Sequence, residues 1–312
     1  VRDPDAEVPG HALGELLVRK ATRLGDFRPH LANRGDVRPA GEVELANIVA
    51  SYRPEVRDRV LLAAHWDTRA VAERDPDPAL RETPILGAND GASGVAVLLA
   101  LADELARTPP QIGVDLLFFD GEDYGREGDL QHYLLGSRRF VQDFPAYRPA
   151  ALVLVDMVGK KGLRIPMEAQ SLSAAPVLTR VVFNRALTLG LDAFEPVRGR
   201  AVYDDHIPFL ERGIPAIDLI DLDYPEWHTL RDTPEACDPD SLGQVGRLLV
   251  AQRNPAGASS LVFSEPYQSF MSPPMMQGWC GSRRTTSCVA SNRSICCRRR
   301  RAVRLRCALN TS

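Results

Sequence analysis

Residues 116–125, Leu116-Leu-Phe-Phe-Asp-Gly-Glu-Asp-Tyr-Gly125, decide the fold. The apolar run from Ile112 to Phe119 ends there, and three acids follow it closely, namely Asp120, Glu122 and Asp123. A short apolar run bounded by turn residues is typical of a buried strand in an α/β sheet. Acids at the carboxyl end of such a strand lie where open α/β sheets bind ligands. Carboxylates this close repel one another unless a cation is bound, so the stretch predicts a cation site at a sheet edge.

The rest of the chain alternates between strand and helix patterns. Strands are predicted at residues 42–51, 57–64, 112–119, 150–157 and 214–219, and helices at 13–24, 95–107, 136–144, 174–189, 205–212 and 239–252. This alternation predicts an α/β fold, a three-layer α/β/α sandwich with a central mixed, mostly parallel sheet.

Composition divides the chain into two parts. With 312 residues, 44% hydrophobic and 25% charged, the chain is long enough for one large domain, which we expect over residues 1–253. Residues 254–312 are rich in Arg and Cys and show no periodicity. The arginine run at residues 298–301 has no aromatic residues beside it for stacking, and the segment has no recognisable nucleic-acid fold, so we expect a disordered or non-native tail and no nucleic acid partner. No membrane span or signal peptide is visible in the sequence.

Metal-binding side chains recur at predicted strand ends and in adjoining loops. They are His65 with Asp67, Asp90, Glu122 with Asp123, Asp156, and His228 from a late loop. Imidazole and carboxylate ligands without thiolate suit zinc, and a catalytic zinc site leaves one position open. Because neighbouring residues at a strand end point in opposite directions, one of Glu122 and Asp123 can bind metal while the other acts as acid or base. Each residue alone is weak evidence, but the joint pattern indicates an enzyme.

The run Gly91-Ala-Ser-Gly94 directly follows Asp90. It lacks the Lys of a phosphate-binding P-loop and the full Gly-x-Ser-x-Gly spacing of a nucleophilic serine. We therefore interpret it as a tight turn into a helix that lets Asp90 approach the metal.

The motifs together resemble the co-catalytic zinc aminopeptidases and, within them, the animal-type glutaminyl-peptide cyclotransferases with their bacterial relatives. The resemblance rests on Ala64-His-Trp-Asp-Thr-Arg69, Gly87-Ala-Asn-Asp-Gly-Ala-Ser-Gly94, Phe118-Phe-Asp-Gly-Glu-Asp-Tyr-Gly125, Leu154-Val-Asp-Met-Val-Gly159, Asp204-Asp-His-Ile-Pro-Phe-Leu210, Gly213-Ile-Pro-Ala-Ile-Asp-Leu-Ile220 and Trp227-His-Thr229. It covers roughly residues 8–252 and implies a zinc-exopeptidase-like fold. The first N-terminal helix usual in this family is missing, and the tail is not covered.

The resemblance also implies roles for individual residues. One zinc would be bound by Asp90, Asp123 and His228, with Glu122, Asp156 and Asp204 as catalytic residues and Trp227 and Asp218 in the substrate pocket. The implied reaction converts the N-terminal glutamine of a peptide to pyroglutamate and releases ammonia, with Glu122 carrying the proton. Animal enzymes have Glu at the position of Asp123 and His at that of Asp218, and both departures resemble bacterial members. Such relatives are often secreted or periplasmic, which is the expectation for location.

Two other functions remain open at this stage. A two-zinc aminopeptidase would use His65 and Asp156 for a second metal, and Glu122 would activate a water between the metals. The Asp204–Leu210 segment and the loop of Trp227 favour the cyclotransferase instead. A noncatalytic binding module on the same fold is disfavoured, because Glu122 and every ligand are present. The expected partners are peptide or protein N-termini, and the oligomeric state is open.

Overall fold

The computed structural model describes residues 30–32 and 45–250, and these contain eight strands and six α-helices. The strands are β1 (His30–Ala32), β2 (Asn47–Tyr52), β3 (Arg59–His65), β4 (Gly113–Phe119), β5 (Leu152–Asp156), β6 (Ile165–Met167), β7 (Phe194–Arg198) and β8 (Ala216–Ile220). The helices are α1 (Ala92–Arg107), α2 (Leu135–Asp143), α3 (Ala169–Ala174), α4 (Pro176–Thr188), α5 (Ile207–Glu211) and α6 (Pro239–Val250).

Six of these strands form one mixed sheet in the order β1-β2-β4-β3-β5-β8. Strands β4, β3, β5 and β8 are parallel, whereas β2 runs antiparallel to β4 and β1 antiparallel to β2. Strands β6 and β7 form a separate parallel pair. The predicted mixed, mostly parallel sheet is confirmed. Because the carboxyl ends of parallel strands meet at one edge, the segments after β3, β4, β5 and β8 emerge together.

Successive residues of the central strands pack against opposite layers of helices. In β3, Leu62 belongs to the apolar cluster that contains Leu98 of α1, while Leu61 belongs to the cluster that contains Phe140 of α2 and Phe209 of α5. This alternation follows from the two-residue period of a strand and confirms the three-layer sandwich. Burying each such side chain contributes about 1.5–3 kcal/mol, so the two clusters hold the sheet as a rigid platform.

The predicted helix at residues 174–189 is wrong in its boundaries, because the structure has two helices there. Helix α3 ends at Ala174 and α4 begins at Pro176. Ala175, between them, has φ −128° and ψ 54°. Proline disfavours helical backbone in the residue before it and lacks the N–H that would continue the helix. The helix predicted at residues 13–24 and the tail at 254–312 lie outside the described residues, so the predicted domain boundary at residue 253 stays a prediction.

A buried ion pair ties the amino-terminal ends of β3 and β4 together. Arg59 donates to both carboxylate oxygens of Asp115, from Nε at 2.5 Å and from Nη2 at 2.7 Å. The Tyr147 hydroxyl donates to the same carboxylate at 2.6 Å. Two parallel N–H···O bonds to one carboxylate form the strongest common type of ion pair. Both oxygens of the Asp115 carboxylate are therefore hydrogen-bonded within the chain.

No helix within residues 30–32 and 45–250 is long and apolar enough to cross a membrane. The longest, α1, has 16 residues and packs against β3, β5 and α6.

Candidate metal centre

The candidate ligands lie at the sheet edge where the parallel strands end. His65 is the last residue of β3 and Asp156 the last of β5. Glu122 and Asp123 follow β4, Asp90 precedes α1, and His228 lies in the loop after β8. The sheet therefore brings together residues separated by more than a hundred positions in the sequence, as the strand-end pattern predicts.

The turn before α1 is closely packed and requires glycine. Gly91 has φ +90°, and a Cβ there would lie 2.5 Å from the Asp67 carbonyl oxygen. At Gly94 a Cβ would lie 2.2 Å from the Val155 carbonyl oxygen. A side chain at Gly91 would displace the turn that carries Asp90 from the segment at the end of β3, and one at Gly94 would push α1 away from β5. The tight turn predicted from the sequence is confirmed.

Three buried ligand atoms converge without hydrogen-bond partners. His228 Nε2 lies 3.2 Å from Asp90 Oδ2 and 3.5 Å from Asp123 Oδ2. None of these three atoms has a hydrogen-bond partner, and each residue is at most 5% exposed. Buried polar atoms are almost always paired, so an unpaired trio of imidazole and carboxylate atoms fits a cation. These are the three residues predicted to bind zinc.

His65 sits on the opposite side of Asp90 and is hydrogen-bonded. Its Nε2 lies 2.9 Å from Asp156 Oδ1 and 3.2 Å from Asp90 Oδ1. Burial alone would lower the pKa of His65, but attraction to Asp156 and hydrogen bonds to its acids outweigh it and raise that pKa well above the ordinary value. His65, Asp90 and Asp123 also offer ligand atoms within 4.8 Å of one another. We assign the first metal to the trio with His228, because in that trio the nitrogen has no partner, whereas His65 Nε2 already has one.

The backbone of His228 is held in an unusual conformation. Its φ is +54°, in the left-handed region that costs a residue with a Cβ about 1–2 kcal/mol. Strain of this kind is retained where the surrounding structure fixes a functional side chain. Burial alone would lower the pKa of His228, but attraction to the nearby carboxylates of Asp123 and Asp90 outweighs it and raises that pKa to about 9.

Two acids support the ligand segments by accepting backbone hydrogen bonds. The Asp67 carboxylate accepts from the N–H groups of Glu122 at 3.1 Å and Asp123 at 3.0 Å. Asp232 accepts from the N–H of Asp90 at 3.2 Å and from the N–H of the residue before it at 2.8 Å. Asp67 belongs to the metal-binding side chains predicted from the sequence. Asp232 was not predicted, because it lies in an irregular loop where no local pattern marks it.

Glu122 is buried beside the metal trio without belonging to it. Its Oε2 lies 4.0 Å from His65 Nδ1, and the residue is 9% exposed. Burial and the neighbouring Asp123 carboxylate raise the pKa of Glu122 well above its usual range. A carboxyl group whose pKa is raised in this way suits general acid and base chemistry.

A second group of acids lies buried next to Asp156. Asp204 and Asp218 are 3% and 1% exposed, and Asp204 Oδ2 and both Asp218 oxygens have no hydrogen-bond partner. Burial and the charge of Asp156 raise the pKa of Asp204 to about 7. Burial, followed by the charges of Asp204 and Asp156, raises the pKa of Asp218 well above its usual range. The structure therefore places Asp218, predicted to bind substrate, within this buried acid group.

Trp227 forms one wall of the centre. Its ring is tilted by 39° against His228 with 4.2 Å between centroids, and the Arg74 guanidinium lies 4.3 Å from the Trp227 centroid on the ring face. Trp227 packs against a small apolar cluster of Met157, Ile220 and Tyr224. The arrangement places an aromatic side chain beside the candidate ligands.

Comparison with known proteins agrees with this geometry. The sequence profile of peptidase family M28 matches residues 47–252. Glutaminyl-peptide cyclotransferase of Bos taurus is 26% identical over 244 residues, a match that covers 68% of this chain and 66% of the bovine protein. This chain thus spans slightly less than two thirds of that relative.

Two solved bacterial structures share the fold at higher identity. Glutaminyl cyclase of Porphyromonas gingivalis is 37% identical with a TM-score of 0.73, and the match covers 78% of this chain and 89% of that one. A leucine aminopeptidase precursor of Bacteroides thetaiotaomicron is 31% identical with a TM-score of 0.73, over 83% and 91% of the two chains. From the match over residues 47–252 and the shared α/β fold, the chain belongs to peptidase family M28.

Proposed function

We propose that the chain is a zinc-dependent glutaminyl-peptide cyclotransferase, which converts the N-terminal glutamine of peptides to pyroglutamate and releases ammonia. Relatives named for this activity in Bos taurus and Porphyromonas gingivalis support the reaction class. The unpaired trio of Asp90, Asp123 and His228 supports the zinc. Zinc bound there would supply a Lewis acid that polarises the γ-carbonyl of the glutamine.

The remaining chemistry is intramolecular and needs one proton carrier. Glu122 accepts a proton from the α-amine as the amine nitrogen forms its bond to the γ-carbonyl carbon. The bond from that carbon to the side-chain nitrogen then breaks, and Glu122 donates the proton to the departing ammonia. Burial and the neighbouring Asp123 carboxylate raise the pKa of Glu122, which favours uptake of a proton by this group. Because the two reacting groups belong to one residue, the protein's main task is to hold the side chain folded back, and Trp227 lies where it can do so.

One observation carries the choice of cyclotransferase over two-zinc aminopeptidase. His65 Nε2 lies 2.9 Å from Asp156 Oδ1, so two ligands that a second metal requires are hydrogen-bonded to each other. In the His228 trio the corresponding distances are longer, 3.2 Å and 3.5 Å, and no hydrogen bond is formed between these atoms. We therefore propose one zinc per chain. The aminopeptidase remains the second candidate, because His65 and Asp156 are present and the Bacteroides thetaiotaomicron neighbour is named a leucine aminopeptidase precursor.

The two candidates release different products and can be tested in parallel. Purified chain is incubated with peptides that begin with glutamine and, separately, with leucine and alanine arylamides, while ammonia and arylamine are measured. The proposal expects ammonia and a pyroglutamyl product from the peptides and no arylamine. Arylamine release without cyclisation would overturn it in favour of the aminopeptidase. Glu82→Gln, an exposed change in the loop before α1, serves as the control for handling and folding.

A further inference from the structure

Two residues of the loop between β3 and α1, Arg69 and Glu73, reach opposite sides of the candidate metal centre. Their side chains form an ion pair, in which Arg69 Nε and Nη2 donate to Glu73 Oε1 at 2.8 Å and 2.6 Å. Arg69 is 3% exposed, and the Glu73 side chain is 22% exposed. A pair this sheltered has a fixed geometry that surface ion pairs lack.

Arg69 is anchored to the segment that carries Asp123. Its Nη1 donates to the backbone carbonyl of Asp123 at 2.8 Å and to that of Gly125, and it lies 3.6 Å from Asp123 Oδ1. Its Nη2 also donates to the Tyr133 hydroxyl, and the guanidinium lies 5.1 Å from the Tyr133 ring centroid. One planar group thus contacts both the side chain and the backbone of a proposed zinc ligand.

Glu73 reaches the ligand on the other side. Its Oε1 lies 3.3 Å from His228 Nδ1, a buried atom that has no formed hydrogen bond. A neutral imidazole that gives Nε2 to a metal carries its proton on Nδ1. That N–H needs an acceptor, and metal-bound histidines usually have a carboxylate, a carbonyl or water in this place. A small tilt of the ring would complete the bond from His228 to Glu73.

We propose that Arg69 and Glu73 form a positioning pair for the zinc centre. Glu73 selects the Nδ1–H form of His228 and fixes the orientation of its ring. Arg69 holds Glu73 at a constant distance from the backbone of Asp123, so the two ligands keep their separation. This inference rests on the zinc centre proposed above but does not depend on glutamine cyclisation. Neither residue touches the reacting atoms.

Zinc affinity tests the pair without reference to turnover. Competition with a chromophoric chelator gives the zinc dissociation constant of the wild type, Glu73→Ala, Glu73→Gln and the exposed control Glu82→Gln. We expect Glu73→Ala to weaken zinc binding by about 10–100-fold, the usual effect of removing a carboxylate behind a metal-bound histidine. Glu73→Gln keeps an oxygen that can accept from Nδ1, so its loss should be smaller. Glu82→Gln should bind zinc as the wild type does.

Replacing zinc with Co²⁺ gives a second measurement, the visible absorption spectrum, which a purely structural role of Glu73 would leave unchanged. The visible absorption of bound Co²⁺ reports ligand geometry, so it should change in Glu73→Ala and return towards the wild-type spectrum in Glu73→Gln. Zinc affinity of Glu73→Ala within about twofold of Glu82→Gln would overturn the proposal. If Glu73→Ala does not fold, Glu73→Met, which has a similar length but no carboxylate or amide oxygen, decides, and unchanged affinity there overturns it equally. A wild type that binds zinc but cyclises no peptide contradicts the proposed function alone.

Discussion

Strands β3 and β4 carry a buried charge cluster at each end, and the two clusters differ in how their acids are partnered. At the amino-terminal end, Asp115 receives two hydrogen bonds from Arg59 and one from Tyr147. At the carboxyl end, Asp90 Oδ2 and Asp123 Oδ2 lie buried with no hydrogen-bond partner among the residues that the structure describes. The acid at the amino-terminal end, called the complete end below, is fully hydrogen-bonded within the chain, whereas some carboxylate oxygens at the carboxyl end, the incomplete end, are not.

The difference separates a structural site from a functional one. A buried carboxylate is tolerated when a cation and hydrogen bonds satisfy it, and Asp115 has both within the chain. The acids near Asp90 have histidine nitrogens at 2.9–3.5 Å, and Arg69 lies 3.6 Å from Asp123 Oδ1. Even so, Asp90 Oδ2 and Asp123 Oδ2 have no hydrogen-bond partner among the described residues, and a bound cation would satisfy both oxygens. The following predictions test the contrast between the two ends.

The largest effect is expected at Glu122, which belongs to the incomplete end but not to the ligand trio. Glu122→Gln should lower cyclisation of glutamine peptides by about 10²–10⁴-fold, because the amide cannot carry the proton. Zinc content and unfolding free energy should not change. Steady-state kinetics and metal analysis of the same preparation check both statements. Loss of zinc in this variant would show that Glu122 is a ligand.

At the complete end, Asp115→Asn should lower the free energy of unfolding and leave the rate of glutamine cyclisation unchanged. The change leaves the partly buried Arg59 guanidinium without its carboxylate while its bond to the Val56 carbonyl remains, at a cost of about 1.5–3 kcal/mol in unfolding free energy. Tyr147→Phe, which removes one hydrogen bond only, should cost about 1 kcal/mol. Denaturant unfolding measures both, and turnover per folded molecule should equal that of the wild type. If Asp115→Asn lowers the unfolding free energy no more than Tyr147→Phe does, the Arg59–Asp115 ion pair does not stabilise the complete end as described.

Glu168 shows that backbone donors can also complete a buried acid. It accepts from the N–H groups of Gln170, Ser171 and Val202 at 2.6–3.0 Å. Burial alone would raise the pKa of Glu168, but hydrogen bonds from His206, Ser171 and the backbone lower it from 4.5 to about 2. The stability that this carboxylate contributes is therefore complete above about pH 4.5 and is lost as the pH falls towards 2.

Glu168→Gln should accordingly cost about 1–2 kcal/mol at neutral pH, as loss of a helix cap does. The difference from the wild type should narrow between pH 4.5 and about 2, where the wild-type carboxylate takes up its proton. Unfolding free energies measured at neutral pH and at two points in that range test this. A difference that stays constant with pH would contradict the role assigned to the charge.

The smallest effect is expected from a matched substitution at the incomplete end. Asp218 is as buried as Asp115, but burial and the charges of Asp204 and Asp156 raise its pKa well above the usual range, which favours the neutral form of its carboxyl. Because Asn resembles that neutral form, Asp218→Asn should change the unfolding free energy of the zinc-free chain by less than about 1 kcal/mol. Denaturant unfolding beside Asp115→Asn gives the comparison directly. If Asp218→Asn and Asp115→Asn lower the unfolding free energy equally, the acids at the two ends do not differ in how much their charges stabilise the fold.

The sequence predicts the central strands and their ligands because both leave strong local patterns. Long apolar runs mark β3, β4 and β5, and the residues that end them, such as His65 and Asp156, are ligand types. The structure brings Asp90, Asp123 and His228 together as predicted. Strand order is fixed by long-range pairing, so only the class of sheet could be predicted, not the order in which the strands pair.

The features that the sequence analysis missed have weak local signals. Strand β6 has three residues with a proline at its centre, and most of β7 is not buried, so neither shows the apolar run expected of a strand. Glu73 and Asp232 act from loops, where function depends on distances that no spacing in the chain encodes. They became recognisable only once the ligands were placed, since each contacts a ligand or its backbone.

The number of zinc ions bound per chain tests most directly whether Asp90, Asp123 and His228 form a single zinc centre. The wild type, His228→Ala at the incomplete end and Tyr147→Phe at the complete end are purified with limiting zinc, dialysed and analysed for metal by mass spectrometry. The account predicts about one zinc per chain in the wild type and in Tyr147→Phe, and close to none in His228→Ala. Zinc retained in full by His228→Ala, or about two zinc ions in the wild type, would contradict a single centre built on Asp90, Asp123 and His228.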